Sequence, residues 1–198
     1  RLYFSPAADY SGSTTSALTR RAWDQTSGSA GAKVDTSSNG ASTAFSSATD
    51  VIDVTVTAVN DAPVLGFVTG ASTYTENAGA VLLAPFATLS DVDSPDFSGG
   101  TMTVYFTANG QAEDRFAIRN QGAGAGQIGV AGSDVAYSGV IIGTWSGGVG
   151  AASPLLINLN ANASVGAVEA LARNITYQNV SDAPSTAVRS VAGYVTDG

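Results

Sequence analysis

Residues 51–59 alternate between apolar and polar. Ile52, Val54, Val56 and Ala58 fall on one side, and Asp53, Thr55 and Thr57 on the other. Side chains two apart share a face of an extended chain, so this spacing predicts a half-buried β-strand. The same period recurs where Met102, Val104 and Phe106 interleave with Thr101, Thr103, Tyr105 and Thr107, and again at Leu155, Ile157 and Leu159. Shorter runs predict strands at 2–4, 17–23, 64–74, 80–83, 116–118, 127–130, 135–145, 175–177 and 188–195. One segment follows another period. Val165, Val168, Leu171 and Ala172 lie three and four residues apart behind Ser164, a good N-cap residue. They predict a short helix lying across one end of a sandwich. Residues 25–43, rich in Gly, Ser, Thr and Asn, read as a loop, and residues 91–96 as a turn.

The strand at 51–59 runs into Asn60-Asp61-Ala62-Pro63, and a new β pattern starts beyond it. A proline here stiffens the joint and ends the strand. Shifting residues 2–24 forward by 173 positions lays Leu2 on Ile175, Phe4 on Tyr177, Asp9 on Asp182, Leu18 on Val191 and Asp24 on Asp197 without a gap. A repeat of this kind predicts two related units. Residues 1–60 read as the C-terminal portion of one β-sandwich, and residues 61–198 as the next sandwich without its last strand. The expected class is all-β, a Greek-key β-sandwich with one short helix.

Composition narrows the chemistry. The chain is 44% hydrophobic but only 12% charged, with 23 Gly in 198 residues, which suits short strands and tight turns better than a helical bundle. Eight basic residues face sixteen acidic ones, and Lys33 is the single lysine. Nucleic acid is therefore not an expected partner. The chain has no histidine, which removes the commonest general base and transition-metal ligand, and no cysteine, so there is no disulfide. No run is long and apolar enough to insert in a membrane. The sequence opens on Arg1 and reads as part of something longer.

Oxygen ligands dominate what remains. Asp91-Val92-Asp93 sits in a turn, where two carboxylates one residue apart can converge on one point; the same residues serve equally as ordinary caps of turn amides. Val59-Asn60-Asp61-Ala62-Pro63, Tyr74-Thr75-Glu76-Asn77, Asp91-Val92-Asp93, Phe116-Ala117-Ile118 followed by Gly126-Gln127-Ile128, and Thr196-Asp197-Gly198 occur in that order. In that order they resemble the linker, the Glu-Asn, the Asp-x-Asp, the mid-domain strand pair and the late Asp-Gly of cadherin-like repeats. The resemblance is to the tandem repeats of large bacterial surface adhesins of the RTX and biofilm type. It covers essentially the whole chain and implies a cadherin- or immunoglobulin-like sandwich that binds Ca2+. It further implies that Asn60 and Asp61 donate from the linker, and Asp91, Asp93 and Asp197 from the apex of the second unit. Glu76 would serve a following linker and Asp24 the apex of the preceding unit. Ala58 stands where animal linkers carry an Asp, and Asp114-Arg115-Phe116 lacks the Glu of the family's Asp-Arg-Glu, which implies a leaner ion site.

The function that follows is a calcium-rigidified structural or adhesive module of a secreted or cell-surface protein, with neighbouring repeats or copies of itself as partners. Because the second unit leaves a strand edge open, copies are expected to complement one another head to tail as a filament. The alternative is a carbohydrate-binding module of a larger surface protein, using Trp145, Tyr137 and the Asp turns toward cell-surface or matrix glycans. An enzyme is not expected: paired carboxylates can hydrolyse glycosides, but these lie in turns and have no activating partner. Asn162, Asn174 and Asn179 open N-glycosylation sequons, as expected by chance in so Ser/Thr-rich a chain. The glycines of residues 122–126 read as a flexible hairpin, without the Lys-Ser/Thr of a phosphate loop.

Overall fold

The computed structural model describes residues 3–67 and 72–198. The chain divides into two compact units, Arg1–Val59 and Asn60–Gly198. Both are built from antiparallel strands, and one short helix accompanies them.

Unit 1 contains β1 (Gly12–Arg20) and β2 (Asp50–Val56), paired antiparallel with Leu18 opposite Ile52 and Arg20 opposite Asp50. The register slips between Thr14 and Leu18. There Ser16 takes a positive φ of 53°, and its N–H donates to Asp53 Oδ1 at 2.7 Å. Arg20 and Asp50 close the end of the pair as an exposed ion pair. The expected strand at 17–23 thus lies several residues earlier, because pairing with β2 rather than local apolarity sets its limits. Tyr3 and Phe4 are not in a strand, and Leu2 lies outside the described residues. Ala44 is the only buried apolar residue of the unit among those described. A two-stranded ribbon with so little buried surface is marginal on its own.

Unit 2 carries β3 (Val64–Gly66), β4 (Val81–Leu82), β5 (Thr88–Ser90), β6 (Thr101–Ala108), β7 (Asp114–Ile118), β8 (Ile128–Ala131), β9 (Asp134–Tyr137), β10 (Val140–Gly147), β11 (Leu155–Leu159), α1 (Val165–Ala172), β12 (Ile175–Asn179) and β13 (Ser190–Val195). A six-stranded sheet runs β13-β6-β11-β10-β9-β8, a three-stranded sheet runs β4-β12-β7, and β3 pairs with β5. Met102, Val104, Leu155, Ile157 and Ile142 from the larger sheet share one core with Phe116, Ile118 and Ile175 from the smaller. The alternating pattern at 101–107 is therefore core-facing as expected. The apolar run at 135–145 is not one strand. It folds back at Ser138-Gly139, both at positive φ (53° and 81°), so that Tyr137 pairs with Val140. A tight turn of this hand matches the twist of the flanking strands. Only residues 64–66 of the expected strand at 64–74 are extended and paired; residues 68–71 lie outside those described.

The helix forms where its cap and spacing place it. Ser164 Oγ accepts the Ala167 N–H, and Val168, Leu171 and Ala172 are buried. Glu169 reaches β5 through the Leu89 N–H at 3.0 Å and pairs with Arg173, whose Nε donates to the Ala87 carbonyl. The helix thereby clamps the segment that leads into residues 91–94.

Gly147 and Gly148 carry the chain out of β10, both with φ near +80° (77° and 79°). The Gly148 carbonyl accepts the Phe116 N–H at 2.8 Å, tying the two sheets together. A Cβ on Gly148 would collide with the Phe116 carbonyl, whereas one on Gly132 (φ 59°) would meet open space. Gly148→Ala is expected to destabilise unit 2 by roughly 1–3 kcal/mol, and Gly132→Ala by only about 1 kcal/mol from the backbone strain. Urea denaturation midpoints of the two variants measure the difference.

Candidate metal centre

The apex of unit 2 is assembled by two strand pairings. β3 and β5 run side by side with Val64 opposite Ser90, which sets residues 60–63 beside the turn that follows β5. β13 pairs with β6, with Val195 opposite Met102, and the Thr196 N–H continues the ladder to the Thr101 carbonyl at 2.9 Å. Asp197 is delivered to the same end. Gly100 is tight here, since a side chain on it would strike the Thr196 carbonyl.

One oxygen each from Asp91, Asp93 and Asp197 lies within 4.8 Å of the others. Asp91 Oδ1 accepts the backbone N–H groups of Ser94 (2.8 Å) and Asp93 (3.1 Å), which closes the turn. Asp91 Oδ2 is buried and has no hydrogen-bond partner among the described residues. Burial pushes the Asp91 carboxyl up, but the hydrogen bonds from Ser94 and Asp93, the backbone N–H groups first, together outweigh it and hold the group below the ordinary carboxylate value. It is thus an anion at neutral pH with one oxygen committed to the turn and the other unsatisfied.

The linker residues arrive through hydrogen bonds. Asn60 Nδ2 donates to Asp197 Oδ2 at 2.8 Å, and the same oxygen accepts Ser94 Oγ at 3.2 Å. The Asp61 N–H donates to Asp93 Oδ2 at 3.1 Å, while its carboxylate is not part of the cluster. Of the sequence-derived ligands, the fold therefore gathers Asp91, Asp93 and Asp197, with Asn60 and the Asp61 backbone against them. Glu76 lies elsewhere in unit 2, exposed at the mouth of a groove with Tyr74 and Asn179. Asp24 belongs to unit 1, where its Oδ1 accepts the Thr26 N–H and Oγ1 in a local turn; those bonds, the hydroxyl first, hold its carboxyl below the ordinary value.

The arrangement meets the size requirement of a calcium ion. Oxygens bound at 2.3–2.6 Å to one Ca2+ are at most about 5 Å apart, and the three carboxylates fall within that span. Without a counter-charge, each pair of carboxylates at this separation repels by about 1 kcal/mol in water and by more where water is excluded.

A second acidic centre was not legible in the sequence. Asp114 is fully buried at the start of β7. Its Oδ1 accepts Tyr177 Oη and Asn179 Nδ2, both at 2.6 Å, and its Oδ2 accepts the Gln111 N–H at 2.7 Å and Arg189 Nε at 3.2 Å. All four partners are supplied by the fold, so this carboxylate ties strands together and has no lone pair aimed at a ligand. The two tryptophans are likewise engaged. Trp145 packs on the core, with its indole N–H donating to the Gly132 carbonyl. Trp23 lines a cavity of ≈ 140 Å³ in unit 1 with Val34 and Phe45, and donates to the Ser27 carbonyl.

No family model, curated protein or solved structure matches this chain. Among the described residues, no helix is long and apolar enough to cross a membrane.

Proposed function

We propose that this chain is a calcium-stiffened structural or adhesive module of a secreted or cell-surface protein, similar to the cadherin-like repeats its motifs resemble. The observation that carries the proposal is Asp91 Oδ2. Turn chemistry accounts for Oδ1 and leaves a buried anionic oxygen unpaired beside two further carboxylates. Buried polar atoms are almost always satisfied, and a cation satisfies this one. Asp91, Asp93 and Asp197 would hold the ion. The Asn60 amide, turned so that its oxygen faces the cluster, would add a neutral donor. The ion would replace mutual repulsion at the apex with attraction, and so fix residues 60–63 against the turn. A module stiffened this way transmits force along a chain of repeats, which suits an adhesive or matrix role.

Calorimetric titration of the full chain with CaCl2 tests the reading. Saturable heat with an affinity on the order of 10⁻⁴–10⁻³ M, the range of extracellular modules, is expected. Asp91→Asn should lose that heat. Absence of heat up to about 10 mM calcium, far above that range, would remove the proposal.

A further inference from the structure

The chain holds two Asn-Gly pairs, Asn39-Gly40 and Asn109-Gly110. Such a pair is chemically labile, because a glycine has no side chain to keep its nitrogen away from the preceding carboxamide. The fold treats the two pairs differently. Asn39 is half-buried. Its Nδ2 donates to the Thr36 and Ser37 carbonyls at 3.1 and 3.0 Å, and the Gly40 N–H donates to the Phe45 carbonyl at 2.7 Å. The nitrogen that would attack and the amide that would leave are both committed. Asn109 is exposed, just beyond the end of β6. A single bond holds its amide, from Nδ2 to the Val188 carbonyl at 2.8 Å. The Gly110 N–H makes no hydrogen bond among the described residues.

Packing explains why a labile pair stands at this turn. Asn109 has a φ of 58°, in the left-handed region that asparagine tolerates better than most residues. A Cβ on Gly110 would lie 2.6 Å from the Phe106 ring and 2.8 Å from the Ala151 methyl, so a side chain does not fit there.

We infer that Asn109 is a site of spontaneous deamidation, and that its modification loosens the network around Asp114. The Gly110 nitrogen loses its proton and attacks Asn109 Cγ, and the new N–Cγ bond closes a five-membered imide. The Cγ–Nδ2 bond breaks, and Nδ2 leaves as ammonia with the proton that Gly110 gave up. Water then opens the ring at either carbonyl, leaving aspartate or isoaspartate at position 109. No oxidant, reductant or metal ion takes part. Neither product has a side-chain N–H to offer the Val188 carbonyl. Isoaspartate also adds a methylene to the backbone of the turn. Both ends of the lost tie adjoin Asp114: Gln111 donates its N–H to Asp114 Oδ2, and Arg189, next to Val188, donates Nε to the same oxygen. The change runs one way, because the ammonia is lost.

Ageing the native chain in mildly alkaline EDTA tests this independently of the calcium reading. Chymotrypsin cuts after aromatic residues, so residues 107–116 and 24–45 come off as separate peptides, each with one Asn-Gly pair. Mass spectrometry at intervals should show the amide becoming an acid in the first peptide about tenfold faster or more. That ratio reflects the two further hydrogen bonds that must open at Asn39. The urea midpoint of unit 2 should fall as the product accumulates, and freshly made Asn109→Asp should start at a lowered midpoint. Asn109→Gly suits the positive φ and has no amide to lose, so its midpoint should stay constant on ageing. Modification at Asn109 no faster than at Asn39, or an Asn109→Asp midpoint equal to that of the native chain, would overturn the inference.

Discussion

Asp114→Ala is expected to cost unit 2 about 3–5 kcal/mol, the usual penalty for removing one partner of a buried, hydrogen-bonded ion pair. The deletion strands four donors at once: Tyr177 Oη, Asn179 Nδ2, the Gln111 N–H and Arg189 Nε. Domains of this size are stable by only about 5–15 kcal/mol in total, so the urea midpoint should fall by a large fraction. Asp114→Asn should lie between the variant and the native chain. Its carbonyl still accepts two donors, but its amide faces the other two.

The same network sets a pH window. Burial pushes the Asp114 carboxyl up, and the bonds from Tyr177, Asn179, Gln111 and Arg189 outweigh it, leaving the group below its ordinary 3.8. The folded state then binds fewer protons than the unfolded one. This contribution to stability is complete above pH 3.8 and is lost as the pH falls through the lower folded value. Tyr177 moves the other way: burial first, and then its bond to Asp114, push the phenol up from 10.0 to about 12. Its contribution is complete below pH 10 and fades toward pH 12. Stability of the native chain should therefore be flat between these limits, and Asp114→Asn should flatten the acid limb. Denaturation midpoints measured across pH 2–11, spanning the ordinary carboxyl and phenol values, check the shape.

What could be read from the sequence follows from how local each determinant is. β6, β11 and α1 carry their own period, and α1 carries its own cap, so neighbouring residues suffice to place them. β5 is only Thr88–Ser90 and is a strand because β3 lies beside it; no local pattern encodes that. The hairpin at Ser138-Gly139 was hidden by the apolar residues on both sides of it, although a Ser-Gly pair suits the positive φ values found there. At the apex, Asp91 and Asp93 are joined by a turn readable from the sequence, while Asp197 enters from a strand end more than a hundred residues away. Only the order of motifs suggested it. Locally, Asp114 stands only in an Asp-Arg pair. Its partners come from residues 111, 177, 179 and 189, and burial of a lone acid cannot be seen before they are brought together.

Calcium is expected to raise the melting temperature of unit 2, and Asp91→Asn to invert its ranking against the native chain between EDTA and calcium. At 10 mM calcium and an affinity of about 0.1–1 mM, mass action stabilises the folded state by about 1.4–2.7 kcal/mol. For a domain of this size that is a rise on the order of 5–10 °C. The variant keeps an oxygen for the Ser94 and Asp93 N–H groups, so the turn survives, but it removes one of three mutually repelling charges. In EDTA it should therefore melt at or slightly above the native temperature. In calcium it should melt several degrees below, having lost the oxygen on which the ion depends. A carboxylate that merely capped the turn would show no such crossing, because calcium would leave both proteins where they were. Scanning calorimetry of the two chains in the two buffers separates these outcomes. Magnesium, a smaller ion that holds its waters and demands octahedral geometry, should give a smaller shift than calcium at the same concentration.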